Sequence, residues 1–120
     1  MTERDDFDTP WKAILEGYLP EFMVFFFPET HVAIDWPRGY TFLDKELQSV
    51  TRDAEIGRRL VDKLVQLWRH DGTNAWVLIH IEIQGQEAAA FPERMFSYHY
   101  RLYDQYRRPI VSHAVLSAVV

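Results

Sequence analysis

Cysteine is absent from the 120 residues. That excludes disulfides and every thiolate metal site, and it agrees with a reducing compartment. It also removes one tempting match. His80-Ile81-Glu82 has the His-x-Glu spacing of zinc deaminases, but their signature needs a downstream Pro-Cys-x-x-Cys. Long apolar runs are missing as well. The longest, "FMVFFF", falls far short of the roughly 20 residues that cross a bilayer. The start, "MTERDDFDTPWK", is acidic and polar, unlike a signal peptide. These absences point to the cytoplasm, with no membrane partner. An excess of positive charge is lacking too: 13 Lys and Arg stand against 18 Asp and Glu, a net charge of −5. This weighs against strong non-specific DNA binding, which relies on cations neutralising phosphates. It leaves a nuclease open, because metal-binding carboxylates make active sites acidic. The pairs Arg58–Arg59 and Arg107–Arg108 read as ordinary solvated surface. The five histidines show no H-E-x-x-H spacing, and no Ser-His-Asp constellation is legible.

What remains is material for a core. Hydrophobic residues make up 48% and aromatics 15% of a chain the size of one ordinary domain. No internal repeat or low-complexity tract interrupts it. The ending, "PIVSHAVLSAVV", reads as a strand with nothing polar after it. The expectation is a single domain over 1–120, truncated at its C-terminus or naturally shortened.

Asp8 or Thr9 ahead of Pro10 predicts a helix start. Trp11, Ile14, Leu15, Tyr18, Leu19 and Phe22 recur at helical spacing. Pro20 should kink or divide this helix, which ends near Phe26, before Pro28. After "HVAIDW", a turn is expected at Arg38–Gly39. "YTFLDKELQSV" reads as a helix capped by Thr41 or as an irregular element. The run from Leu60 to Trp68 fits either a helix or a strand buried on both faces. The following "HDGTN" is strong turn chemistry, which favours a hairpin of residues 60–69 with 76–84. "EAAAFPERMFSYHYRLYDQYRR" reads as a helix with Phe91, Met95, Tyr98, Leu102 and Tyr106 on one stripe. Pro109 follows it, and then a last strand. The sum is an α/β layer with a small mixed β-sheet flanked by helices.

"WVLIHIEIQGQ", residues 76–86, carries the chemistry. In a strand, Val77, Ile79, Ile81 and Ile83 form one aliphatic face, while Trp76, Leu78, His80, Glu82, Gln84 and Gln86 share the other. Across the hairpin, Asp62 shares a side with Leu64 and Gln66. If Asp62 and Glu82 face the same way, two hard oxygen ligands can approach one Mg²⁺ or Mn²⁺ ion. Such an ion activates water and stabilises charge developing on a phosphodiester. Gln84 cannot act as a base, but its amide can orient that water or a phosphate oxygen.

"VDKLVQLW", "WVLIHIEIQGQ" and "ERMFSYHYRLYDQY", in that order, resemble the recombination-promoting nuclease or putative transposase family of the PD-(D/E)XK nuclease superfamily. "DTPWK" and "FLDKEL" match its start and middle, so the likeness runs from about residue 8 to residue 115, nearly the whole chain. It implies a restriction-endonuclease-like core and a metal-dependent DNA endonuclease associated with recombination or transposition. Asp62 and Glu82 would be catalytic metal ligands, and Gln84 would occupy the superfamily's lysine position. Family members are commonly much longer. A helical acid often completes such sites, and Glu16, Asp44 and Glu46 are the candidates.

Plainer readings stand beside this one. Asp62 can be a solvated residue of an amphipathic helix, and Glu82 with Gln84 an outer strand face. Arg94 can touch a phosphate, but a helical arginine by default pairs with an acid such as Glu93 or Asp104 or stays solvated. His80 reads as a strand-face residue beside the metal, and His99 and His113 as packed or exposed without function. The alternative function is a catalytically silent fragment acting as an oligomerisation or DNA-docking module. Its open sheet edge and apolar tail, Val115 to Val120, would form a homodimer interface.

Overall fold

The computed structural model describes residues 3–51, 60–83 and 91–117. Two helices open the chain, α1 (Glu3–Gly17) and α2 (Leu19–Phe26). They part at Tyr18, and Pro20 sits in the first turn of α2, where a missing N–H breaks no helical bond. Helix α1 starts earlier than expected, so Asp8 and Thr9 lie inside it and Pro10 is an interior residue. A proline inside a helix removes a single backbone donor.

Helix α3 (Pro28–Ala33) and a 3₁₀ turn (Trp36–Arg38) follow, closed by Gly39 at φ 93°, a conformation that favours glycine. Thr41 does not cap a helix. It belongs to the two-residue strand β1 (Thr41–Phe42), and α4 (Asp44–Thr51) begins after it, with Asp44 and Glu46 at its positive end. Strands β2 (Leu60–Trp68) and β3 (Asn74–Ile83) form the hairpin, so Leu60 to Trp68 is strand rather than helix. Gly72 turns it at φ 89°, and the Asp71 carboxylate accepts from the Thr73 N–H and hydroxyl. Helix α5 (Phe91–Tyr106) then leads to β4 (Ile110–Ser117).

The fold is mixed α/β. Its four-stranded sheet has the order β1-β2-β3-β4, antiparallel except for the parallel β3–β4 pair. A parallel neighbour needs a long crossover, which α5 provides. Helices cover both faces. Leu15, Leu19, Phe22 and Met23 pack against Val61, Val65, Val77, Ile79 and Ile81 on one side. On the other, Leu47 and Val50 of α4 and Tyr98 and Leu102 of α5 pack against Leu64, Trp76 and Leu78. Strand β3 is thus buried on both faces, which is why its sequence is almost continuously apolar. Among the described residues no helix is long and apolar enough to cross a membrane.

Candidate functional site

Residues directly opposite in an antiparallel ladder share a face. Asp62 lies opposite His80, and Leu60 opposite Glu82. Asp62, His80 and Glu82 therefore face the same way, with Leu64, Gln66, Trp76 and Leu78 farther along. This is the side that α4 and α5 cover. Asp62 is on a strand rather than a solvated helix, and Glu82, like His80, is 0% exposed rather than on an outer face.

The Asp62 carboxylate is held at both oxygens. Its Oδ1 lies 2.7 Å from His80 Nδ1, and its Oδ2 accepts a 2.7 Å hydrogen bond from Arg94 Nη2. Burial pushes this carboxyl up. The His80 hydrogen bond, the His80 and Arg94 charges and the Arg94 hydrogen bond outweigh it and hold the group below the usual carboxylate range. The guanidinium also sits over the Tyr98 ring, 4.7 Å from its centroid. Tyr98 is buried, and burial pushes its phenol up.

Arg94 thus departs from its expected partners. Asp104 pairs instead with Arg107, at 3.3 Å. The reason is helical spacing. Arg94, Tyr98 and Leu102 are four residues apart, and the stripe that buries Tyr98 and Leu102 brings Arg94 to the sheet beside Asp62. The only signal in the sequence was the helical spacing of Arg94 from Tyr98, which puts it on the inward side without naming the acid that meets it.

Lys63 is the residue that sequence reasoning missed. It points to the opposite face from Asp62, and its Nζ donates to Glu16 Oε2 at 2.7 Å and to Asp44 Oδ1 at 3.1 Å. It also lies 4.8 Å from the Phe42 ring centroid. Two of the three acids expected to complete the Asp62 site are therefore bound to a lysine on the other side of the sheet. The Glu46 backbone carbonyl accepts from Ser49 Oγ at 2.7 Å. Gln84 lies outside the described residues. His99 and His113 are packed: His99 Nδ1 lies 2.8 Å from Ser112 Oγ, and His113 stacks on Phe27 with Thr30 Oγ1 at 2.8 Å. A shallow apolar pocket of about 240 Å³, lined by Ala33, Ile34, Ala75, Val77 and Val111, lies on that opposite face, away from Asp62.

Asp62 and Glu82 place two carboxylates, the donor type that hard cations prefer, on one face, and both oxygens of Asp62 are held by His80 and Arg94. Among the described residues no group of three or more His, Asp or Glu is placed to hold a metal. Any further ligands would be backbone carbonyls or water. Comparison with protein-family models, with curated proteins and with solved structures finds no match to this chain.

Proposed function

We propose that the chain is the core of a metal-dependent DNA endonuclease of the restriction-endonuclease-like type. The observation that carries this reading is the shared face of Asp62 and Glu82 on a buried hairpin, with Asp62 kept ionised against its burial. The element order supports it: helices α1 to α3, then antiparallel β1, β2 and β3 with α4 inserted between the first two, then α5 and β4, which runs parallel to β3. Asp62 and Glu82 would hold Mg²⁺ or Mn²⁺, which when bound supplies an activated water and charge stabilisation on a phosphodiester. His80 fixes the orientation of Asp62 by its hydrogen bond and is itself walled in. Gln84 would orient water or a phosphate oxygen.

The test is cleavage of supercoiled plasmid DNA with Mg²⁺ or Mn²⁺ and with chelator. Cleavage should need the ion and should fall by at least about 100-fold in Asp62→Asn and Glu82→Gln, given that even outer-shell changes cost about 10- to 100-fold. Circular dichroism would establish that both variants fold. Undiminished cleavage by either variant, or none by the parent protein, ends the reading.

Strand β4 supports a second reading, the oligomerisation or DNA-docking module. Among the described residues it is the longer of the two outer strands, and Ile110–Ser117 contains no Asp, Glu, Lys, Arg or Pro, the residues that usually blunt an edge. Leu116 is exposed. A homodimer paired along β4 should appear in sedimentation equilibrium and dissociate in Leu116→Lys. A parent protein that stays monomeric up to 100 µM (about that, on the scale of weak complexes) would remove it.

A further inference from the structure

The two partners of Asp62 differ in one respect. His80 is 0% exposed, whereas the Arg94 side chain is 17% exposed and reaches Asp62 from α5, a different element. One partner is fixed, and the other has a path to solvent. A guanidinium on a carboxylate oxygen fills the electrostatic role of a bound cation. It cannot share that oxygen's near surroundings with a divalent ion. Two positive charges a few ångströms apart repel, and the repulsion doubles for a divalent ion.

We propose that Arg94 is the internal counter-ion of Asp62, displaced when a divalent cation binds, and that the displaced guanidinium then receives a phosphodiester oxygen. The proposal rests on the metal reading of Asp62 and adds its regulation: metal entry and exposure of an anion-binding arginine become one exchange. The chemistry of the side chain suits both states. A planar guanidinium pairs with carboxylate and phosphate oxygens alike. The guanidinium also lies over the Tyr98 ring, a contact separate from its pairing with Asp62. Because coupling is reciprocal, the ion should strengthen binding of a short DNA duplex by the same factor that DNA strengthens binding of the ion.

The experiment is Mn²⁺ titration by calorimetry on the parent protein and on Arg94→Met, with and without a short duplex. Arg94→Met should bind Mn²⁺ alone at least about 10-fold more tightly than the parent, because its cationic competitor is gone. The parent's affinity for the duplex should rise with Mn²⁺, and the variant's should not. Equal or weaker Mn²⁺ binding by the variant overturns the proposal while leaving the metal reading standing. No Mn²⁺ binding by either folded protein removes both. If Arg94→Met does not fold, the parent alone decides the matter. The Arg94 Nε–H NMR resonance should shift on saturation with Mg²⁺, and an unmoved resonance in a protein that binds Mg²⁺ rejects the exchange.

Discussion

Asp62 and Lys63 are neighbours on β2, yet they serve opposite faces of the sheet and sit in ion groups of opposite sign. Asp62 is an anion between His80 and Arg94. Lys63 is a cation between Glu16 and Asp44. The two centres are equally sheltered, with side chains 9% exposed in each case. Their partners are not: Glu16 and Asp44 are each 53% exposed, against 0% for His80 and 17% for Arg94. What surrounds a buried charge thus matters more than its own burial. Removing Lys63 leaves carboxylates that water can reach. Removing Asp62 takes from His80 and Arg94 the buried carboxylate that they share. The Lys63 group behaves as a clamp joining α1, β2 and α4, and the Asp62 group as a closed site.

The largest expected effect follows directly. Asp62→Ala should destabilise the protein by about 3 kcal/mol, the low end for removing one partner of a buried pair. Lys63→Met should cost no more than about 1 kcal/mol, since half-exposed partners gain little from pairing and the methionine stem still packs. Urea denaturation measures both, provided the m-value is unchanged. Equal losses would erase the distinction between the two faces.

This comparison also marks how far the sequence could be read. The hairpin was legible because "HDGTN" joins two apolar runs, and strand alternation then put Asp62 and Glu82 on one side. The inward stripe of α5 was legible too, as its period matches a helix. Two things were not. One was the role of Lys63: a lysine in a strand normally faces solvent, and nothing local reveals that Glu16 and Asp44, 47 and 19 residues away, meet over it. The other was the partner of Arg94, because the default looks along the helix while the acid that holds it comes from a strand 32 residues away. Both misses concern charges paired across elements. Sequence periodicity gives the face of a residue but not its opposite number.

A smaller effect separates the two groups by pH. The folded Asp62 carboxyl lies below its unfolded value of about 3.9. Its stabilisation is therefore complete above that pH and is lost as pH falls through the folded value. For Lys63, burial pulls the ammonium down, but the hydrogen bonds and charges of Glu16 and Asp44 raise it above its unfolded value of about 10.4. Its stabilisation is complete below that pH and is lost as pH rises through the folded value. Melting temperature against pH should show Asp62→Asn flattening only the acid limb and Lys63→Met only the alkaline limb. An alkaline limb unchanged by Lys63→Met would mean that its carboxylate contacts do not persist in solution.

The smallest effect, and the finest test of the contrast, is screening. The Debye length falls from about 10 Å at 0.1 M salt to about 3 Å at 1 M. Ions of the solvent can approach Glu16 and Asp44 but not the oxygens that Asp62 turns toward His80 and Arg94. A double-mutant cycle on Lys63 and Glu16 should give a coupling of about 0.5 kcal/mol in low salt, the scale of partly exposed pairs. Most of it should vanish in 1 M NaCl. The same cycle on Asp62 and Arg94 should give a larger coupling that keeps most of its value. The order of the two salt sensitivities matters more than either magnitude, because it depends only on which partners water and ions can reach. Were the Asp62–Arg94 coupling the more salt-sensitive, solvent would already have access to that carboxylate, and a divalent ion could bind it without Arg94 having to leave.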